Sequence, residues 1–217
     1  YIEKIVNVFY KNFKEEKKES FIIQKNKFLF SKVNKIYSFN YTNSYENFYW
    51  NISEAVFDNY EFKVDFVHGS IINDWNNELD KLKVVLGVSD ISDNLKNHKL
   101  FQFTKYFQKL HKNTDYLFLD KILKSFSTLT KNGNGYTIYF WGHSLDSSDS
   151  EYIKDVFKVL SKSDSEIKIF YHSISGKADQ LKNLLNIIDK DTIEDLMKNK
   201  RLIFIESTPD NLFAELS

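Results

Sequence analysis

The chain has 217 residues, 42% hydrophobic and 17% aromatic, and its 30 Lys and Arg balance 30 Asp and Glu. That length suits one domain, and a net charge of zero gives no overall basic field of the kind that draws nucleic acid. The absence of Cys excludes disulfides, thiolate metal sites and cysteine nucleophiles. Apolar runs are short and broken by Lys, Asp or Asn, so no membrane span is expected. Glu3 and Lys4 interrupt the first apolar run and no small-residue cleavage site follows, so the start does not read as a secretory signal. The expectation is a cytoplasmic protein. A start at Tyr1 rather than Met points to a natural chain that extends upstream.

Ile2, Ile5, Val6, Phe9, Tyr10 and Phe13 recur at helical steps and predict a helix over Ile2–Lys18, with the charged run Lys14–Glu19 as its solvated end. Phe21–Ile23 and Phe28–Phe30 are either the arms of a hairpin around Lys25–Lys27 or a strand plus a helix turn. Lys35–Phe39 is rich in β-branched and aromatic residues and predicts a strand. It runs into Asn40–Ser44, residue types that favour turns and helix starts, ahead of a helix over Ser44–Trp50. Val64–Val67 is a second short strand and stops at His68-Gly69. A polar connection follows, and then a continuous apolar run, Leu82–Leu86, predicts a strand closed by Gly87. Residues 87–100 show little periodicity and read as a long loop, and long loops are often functional. Helices are expected over Phe101–Leu110 and Tyr116–Leu129. Lys131–Gly135 looks like a glycine-rich phosphate loop only superficially, because it precedes a strand instead of joining a strand to a helix.

Tyr136–Trp141 is the next strand and stops at Gly142–Asp146. Ser148-Asp149-Ser150-Glu151 has the capping-box pattern and should open a helix with Ile153, Val156, Phe157 and Leu160 on one face. Ile167–Tyr171 predicts a strand. Ala178, Leu181, Leu184, Leu185 and Ile188 mark a helix, Asp191–Met197 a shorter one and Leu202–Ile205 a final strand. Strands alternating with helices predict an α/β fold with a mostly parallel sheet covered on both faces. The expected domain organisation is one α/β domain over residues 1–217.

In open α/β sheets ligands bind at the carboxyl ends of the strands. Three strand ends here deliver Asn40, His68-Gly69 and Gly142-His143-Ser144-Leu145-Asp146. They are expected to face one crevice, the Asn40 amide aimed into it. His68 is the group suited to accept a proton near neutral pH, and Gly69 beside it lets backbone approach a ligand. A plain strand end accounts equally well for His68-Gly69. His143 is expected either to line the pocket or to cap the helix near Ser148. Asp146 stays open between a ribose contact and a helix stabiliser, and Asp149 reads as a stabiliser. Lys109 is a weaker candidate for pairing with phosphate. His98, His111 and His172 have no metal-ligand spacing, and no metal site is expected.

Taken together and in order, Phe39-Asn40-Tyr41-Thr42-Asn43, His68-Gly69, Leu86-Gly87, Phe107-Gln108-Lys109 and Gly142-His143-Ser144-Leu145 with Asp149 resemble the bacteriophage abortive-infection AbiH family over roughly residues 35–206. More remotely, the same motifs resemble the sirtuin-like fold. The resemblance implies a Rossmann-like three-layer domain missing its N-terminal strand and diphosphate-cradling turn; either these lie upstream of Tyr1 or the chain does not bind a dinucleotide in the ordinary way. It implies a role in phage defence and NAD or a related nucleotide as ligand or substrate, cleaved at the glycosidic bond by an NAD glycohydrolase-type hydrolase. In that comparison His68 is the general base and Asn40 positions the ribose or a water. Gly69, Gly142, His143, Ser144, Leu145 and Asp146 contact the nucleotide. Without Cys there is no four-cysteine zinc module of the protein-deacylase kind. The implied partners are a phage-derived trigger and further copies of the chain. The alternative is a non-catalytic sensor or scaffold that binds a nucleotide or a phage component.

Overall fold

The structure, a computed structural model, describes residues 33, 35–42, 64–70, 84–88, 100–112, 135–160 and 164–216. The expected helices over Ile2–Lys18, Ser44–Trp50 and Tyr116–Leu129, and the runs Phe21–Ile23 and Phe28–Phe30, lie outside these residues, as does most of the loop over 87–100. The chain divides into two compact units: Tyr1–Leu86 with Phe107–Asp115 and Pro209–Ser217, and Gly87–Tyr106 with Tyr116–Thr208. The fold is α/β, and every strand pairing described is parallel.

In the first unit, β1 (Ile36–Ser38) and β2 (Val64–Phe66) pair in parallel with Ser38 opposite Phe66. The ladder runs one step further, the Val67 amide donating to the Ser38 carbonyl at 2.9 Å. Lys35 ties the strands at their start through an ion pair of 2.7 Å with Asp65.

The apolar run that should form a strand at Leu82–Leu86 does not do so at Val84–Leu86, where the backbone belongs to no strand. Its hydrogen bonds go mostly to side chains. Lys112 Nζ donates to the Val84 carbonyl at 2.6 Å, and Tyr41 Oη donates to the Val85 carbonyl at 2.8 Å. The Val85 amide donates to the His68 carbonyl at 2.9 Å. Gln108 spans both backbone groups of Leu86, accepting from its amide at 3.0 Å and donating to its carbonyl. Val84 and Val85 are nonetheless buried while Leu86 is exposed, so the apolar character matches burial at the two valines and not strand pairing.

The expected single helix over Phe101–Leu110 is instead a 3-10 turn, Leu100–Phe103, followed by α1, Lys105–His111. The break falls at Thr104, which forms a bridge with Val88 and whose hydroxyl donates back to the Phe101 carbonyl at 2.8 Å. A β-branched residue bonding its own backbone in this way competes with helix continuity.

The second unit holds a parallel sheet in the order β3 (Thr137–Phe140), β4 (Glu166–Tyr171), β5 (Leu202–Glu206). Helix α2 (Ser150–Leu160) connects β3 to β4, and α3 (Ile174–Ile187) and α4 (Lys190–Lys198) connect β4 to β5. Successive strand residues point to opposite faces, and in β4 both Ile169 and Phe170 are buried. The middle strand is therefore covered on both sides, as parallel sheets require. Ile153, Val156 and Phe157 of α2, Leu184 of α3 and Ile193 and Leu196 of α4 pack with Ile167, Ile169 and Leu202 in one core. Gly135 has a packing reason: a Cβ there would sit 2.5 Å from the Asp164 carbonyl oxygen. That accounts for the last glycine of the Lys131–Gly135 turn; residues 131–134 lie outside the described residues.

Two helix details differ from expectation. Ala178 and Leu185, two of the apolar residues that mark α3, are exposed, and the polar Gln180 is buried. The helical path into α2 starts earlier than Ser148: Asp146 caps a 3-10 turn, Ser147–Asp149, by accepting from the Ser148 amide at 2.8 Å. Helix α5 (Pro209–Leu216) belongs to the first unit and buries Leu212 and Leu216.

Candidate functional site

Asn40 and His68 sit at corresponding places in the first unit. Each lies two residues beyond the opposed pair Ser38 and Phe66, at the carboxyl ends of neighbouring parallel strands. Asn40 is exposed, and its amide nitrogen is held by the Ser38 hydroxyl at 3.3 Å. His68 follows β2 in a turn closed by the Gly69 amide on the Phe66 carbonyl at 3.1 Å. Gly69 has φ 78, a left-handed conformation that suits a residue without Cβ.

The imidazole of His68 is only 3% exposed. The Phe39 ring meets it edge-on at 5.4 Å and the Tyr41 ring lies tilted at 6.1 Å. Four sequence motifs thus come together in this unit: Phe39–Thr42, His68-Gly69, Leu86-Gly87 at its leucine, and Phe107–Lys109 through Gln108. Val84–Leu86 is the segment they share, held by the Tyr41 hydroxyl, the His68 carbonyl and the Gln108 amide. Lys109 is buried here as well.

The last motif lies in the second unit, where β3 ends and the chain turns at Gly142 with φ 67. A Cβ at Gly142 would meet nothing within 4 Å, so the glycine serves the backbone angle and its outer side is open. Ser144 and Asp146 are exposed. Leu145 does the opposite. It takes φ 55, uncommon for a residue with a Cβ, and buries its side chain completely in the core. A ligand at this turn would meet the backbone of Leu145 and not its side chain.

Three side chains fasten the turn. The Leu145 amide donates to His143 Nδ1 at 2.9 Å. Gln180 Nε2 donates to the His143 carbonyl at 3.0 Å and to the Phe170 carbonyl at 3.1 Å, and Asn183 Nδ2 donates to the Ser144 carbonyl at 3.0 Å. Gln180 and Asn183 are three apart and so lie on one face of α3. Since Nδ1 of His143 accepts, a neutral ring carries its proton on Nε2. That nitrogen faces Asp149 Oδ2 at 3.5 Å, while Asp149 Oδ1 pairs with Lys105 Nζ at 2.9 Å. His143, expected to line a pocket or cap a helix, is thereby placed in a chain of polar groups beneath the turn. Asp149, expected as a helix stabiliser, does lie in the first helical turn ahead of α2 and is also the anion of an ion pair. The cap is Asp146.

Lys105, Gln180 and Asn183 carry no local sign of their place as site builders, because each acts on a partner more than 35 residues away. Among the described residues no three His, Asp or Glu side chains gather in a way that would hold a metal ion. No helix among them is long and apolar enough to cross a membrane.

Parallel strands whose carboxyl ends carry a buried histidine and a fastened glycine turn define an α/β protein with its distinctive residues on the strand-end loops. The family model of bacteriophage abortive infection AbiH matches residues 1–171, and the chain belongs to that family. The match spans all four early motifs and the Gly142–Asp149 segment, and membership carries a role in phage abortive infection. Neither a curated protein nor a solved structure matches the chain.

Proposed function

We propose that this AbiH-family chain carries out abortive infection by cleaving NAD or a related nucleotide at its glycosidic bond. The reading takes the parallel sheets as Rossmann-like, with the nucleotide at the carboxyl ends of the strands. The observation that supports it is the common register of Asn40 and His68, each two residues past the Ser38–Phe66 pair. His68, as a neutral imidazole, takes a proton from a ribose hydroxyl, and Asn40 positions the ribose or the attacking water. The bond from ribose to nicotinamide breaks through an oxocarbenium-like state. Nicotinamide leaves with the bonding electron pair, water adds to the ribose carbon and passes one proton to the ribose oxyanion, and His68 releases the proton it took to solvent. In the first unit Gly69 supplies a nucleotide contact beside these two residues; the Gly142–Asp146 turn of the second unit, taken by itself, is a further candidate nucleotide contact.

One observation favours a second reading. His68 is buried between the Phe39 and Tyr41 rings, an arrangement that suits a structural histidine in a non-catalytic sensor of a nucleotide or phage component. Nicotinamide release by the purified full-length protein separates the two. General-base help contributes about 10²–10⁴-fold, so on the enzyme reading His68→Ala reduces turnover by that factor with an unchanged circular dichroism spectrum. Release that is equal for wild type and His68→Ala, or absent from both, gives the sensor reading its place.

A further inference from the structure

Lys105 is 9% exposed, and its ammonium meets both Asp149 Oδ1 at 2.9 Å and the Ser148 carbonyl at 3.4 Å. Asp149 is shielded to a similar degree, its side chain 12% exposed, and so is the His143 ring. A charge pair this deep is held only when its remaining donors and acceptors are met. Here the contacts run in a directed sequence. Lys105 fixes Asp149, Asp149 faces Nε2–H of His143, and His143 Nδ1 accepts the Leu145 amide. The chain ends at the one residue of the turn that is left-handed without being glycine. Such a conformation persists only where its surroundings over-determine it. The carbonyls of His143 and Ser144 are tied from α3, while Gly142, Ser144 and Asp146 are exposed on the outside.

We infer that Lys105, Asp149 and His143 are positioning residues, a buried polar relay that holds the Gly142–Leu145 turn in the backbone conformation that receives a nucleotide. The inference rests on the reading that this turn contacts the nucleotide. The relay itself is testable without that reading.

The experiment measures hydrogen exchange at the Leu145 amide and NAD binding by calorimetry, on full-length wild type, Asp149→Asn, His143→Ala and His143→Asn. Asp149→Asn keeps the shape of the side chain and removes its charge. His143→Asn restores an acceptor near the place of Nδ1, whereas His143→Ala removes it. The relay predicts that exchange at Leu145 accelerates about tenfold in His143→Ala and in Asp149→Asn, the upper range of one lost hydrogen bond. His143→Asn recovers most of the protection lost in His143→Ala. The Kd for NAD rises by a similar factor in Asp149→Asn and His143→Ala. Unchanged exchange at Leu145 in both variants overturns the inference. So does acceleration spread evenly over the second unit, which marks a loss of general stability. Selective acceleration at Leu145, with no NAD bound by any form including wild type, supports the relay as a fastening of the turn and removes the nucleotide reading.

Discussion

At residue scale, the hydrogen bonds to Val84–Leu86 separate two kinds of side chain. The Val85 carbonyl belongs to a residue with 0% exposure and takes the Tyr41 hydroxyl. Tyr41→Phe leaves that carbonyl without the bond in a buried place, and stability should fall by about 1–3 kcal/mol. Leu86 is 60% exposed, so water replaces the Gln108 amide in Gln108→Ala and the loss should stay near ~1 kcal/mol. Urea denaturation of both variants checks the order. Asp149 gives a second contrast. A capping aspartate costs about 0.5–2 kcal/mol when truncated to alanine. The anion of a buried pair costs about 3–5 kcal/mol, since the cation stays behind. Its pairing with Lys105 predicts the larger range for Asp149→Ala, and a loss below about 1 kcal/mol in urea denaturation would contradict a buried pair.

At the scale of elements, α4 displays both of its ends. Asp189 accepts from the Thr192 amide at 2.8 Å and from the Thr192 hydroxyl at 2.7 Å. The backbone bond first and the side-chain bond second hold its carboxyl below the usual aspartate range. A depressed folded-state pKa adds stability that is complete above the unfolded value and lost as pH falls through the folded one. The cap should therefore weaken only below the ordinary carboxylate range, and the acid limb of a thermal melting profile should flatten in Asp189→Asn. At the other end, the Lys200 amide donates to Met197 at 3.1 Å and the Arg201 amide to Leu196 at 2.7 Å, a Schellman closure with Lys200 at φ 55. A left-handed lysine costs ~1–2 kcal/mol and glycine returns part of that in chain entropy. Lys200→Gly should raise stability by roughly 0.5–1 kcal/mol, read from the denaturation midpoint.

The same elements show what local sequence reports. β4 was legible because Ile167, Ile169 and Phe170 carry both β-propensity and burial, and α4 was legible from Ile193 and Leu196 three residues apart. Val84–Leu86 was not, because its partners are Tyr41, Gln108 and Lys112, side chains distant in sequence that replace a neighbouring strand. The Ser148–Glu151 pattern did mark a helix start, with α2 opening at Ser150, but the cap falls on Asp146, and the pairing of Asp149 with Lys105, 44 positions away, has no local sign. Asn40 and His68 were legible as strand-end residues. The burial of His68 was not, since it depends on where the Phe39 and Tyr41 rings fall.

At the scale of the whole molecule, the family match covers residues 1–171 and sets the chain in phage abortive infection. Its motifs are spent on two well-fastened backbone segments, Val84–Leu86 in one unit and Gly142–Leu145 in the other. Amide, hydroxyl and ammonium groups hold the chain where strand ladders stop. Fixing backbone in this manner has a cost of ~1–2 kcal/mol per residue in conformational entropy, which makes a purely decorative role for these side chains a poor account of them. The function proposed above has Asn40 and His68 act on a nucleotide during infection. The most direct measurement follows NAD and nicotinamide over time in phage-infected bacteria carrying either the full-length wild-type gene or His68→Ala at equal protein level. Cleavage of NAD by this protein predicts that NAD falls and nicotinamide rises after infection with wild type, and that both stay level with His68→Ala. NAD that stays level while wild type still protects the culture, or an equal fall with both genes, would contradict it.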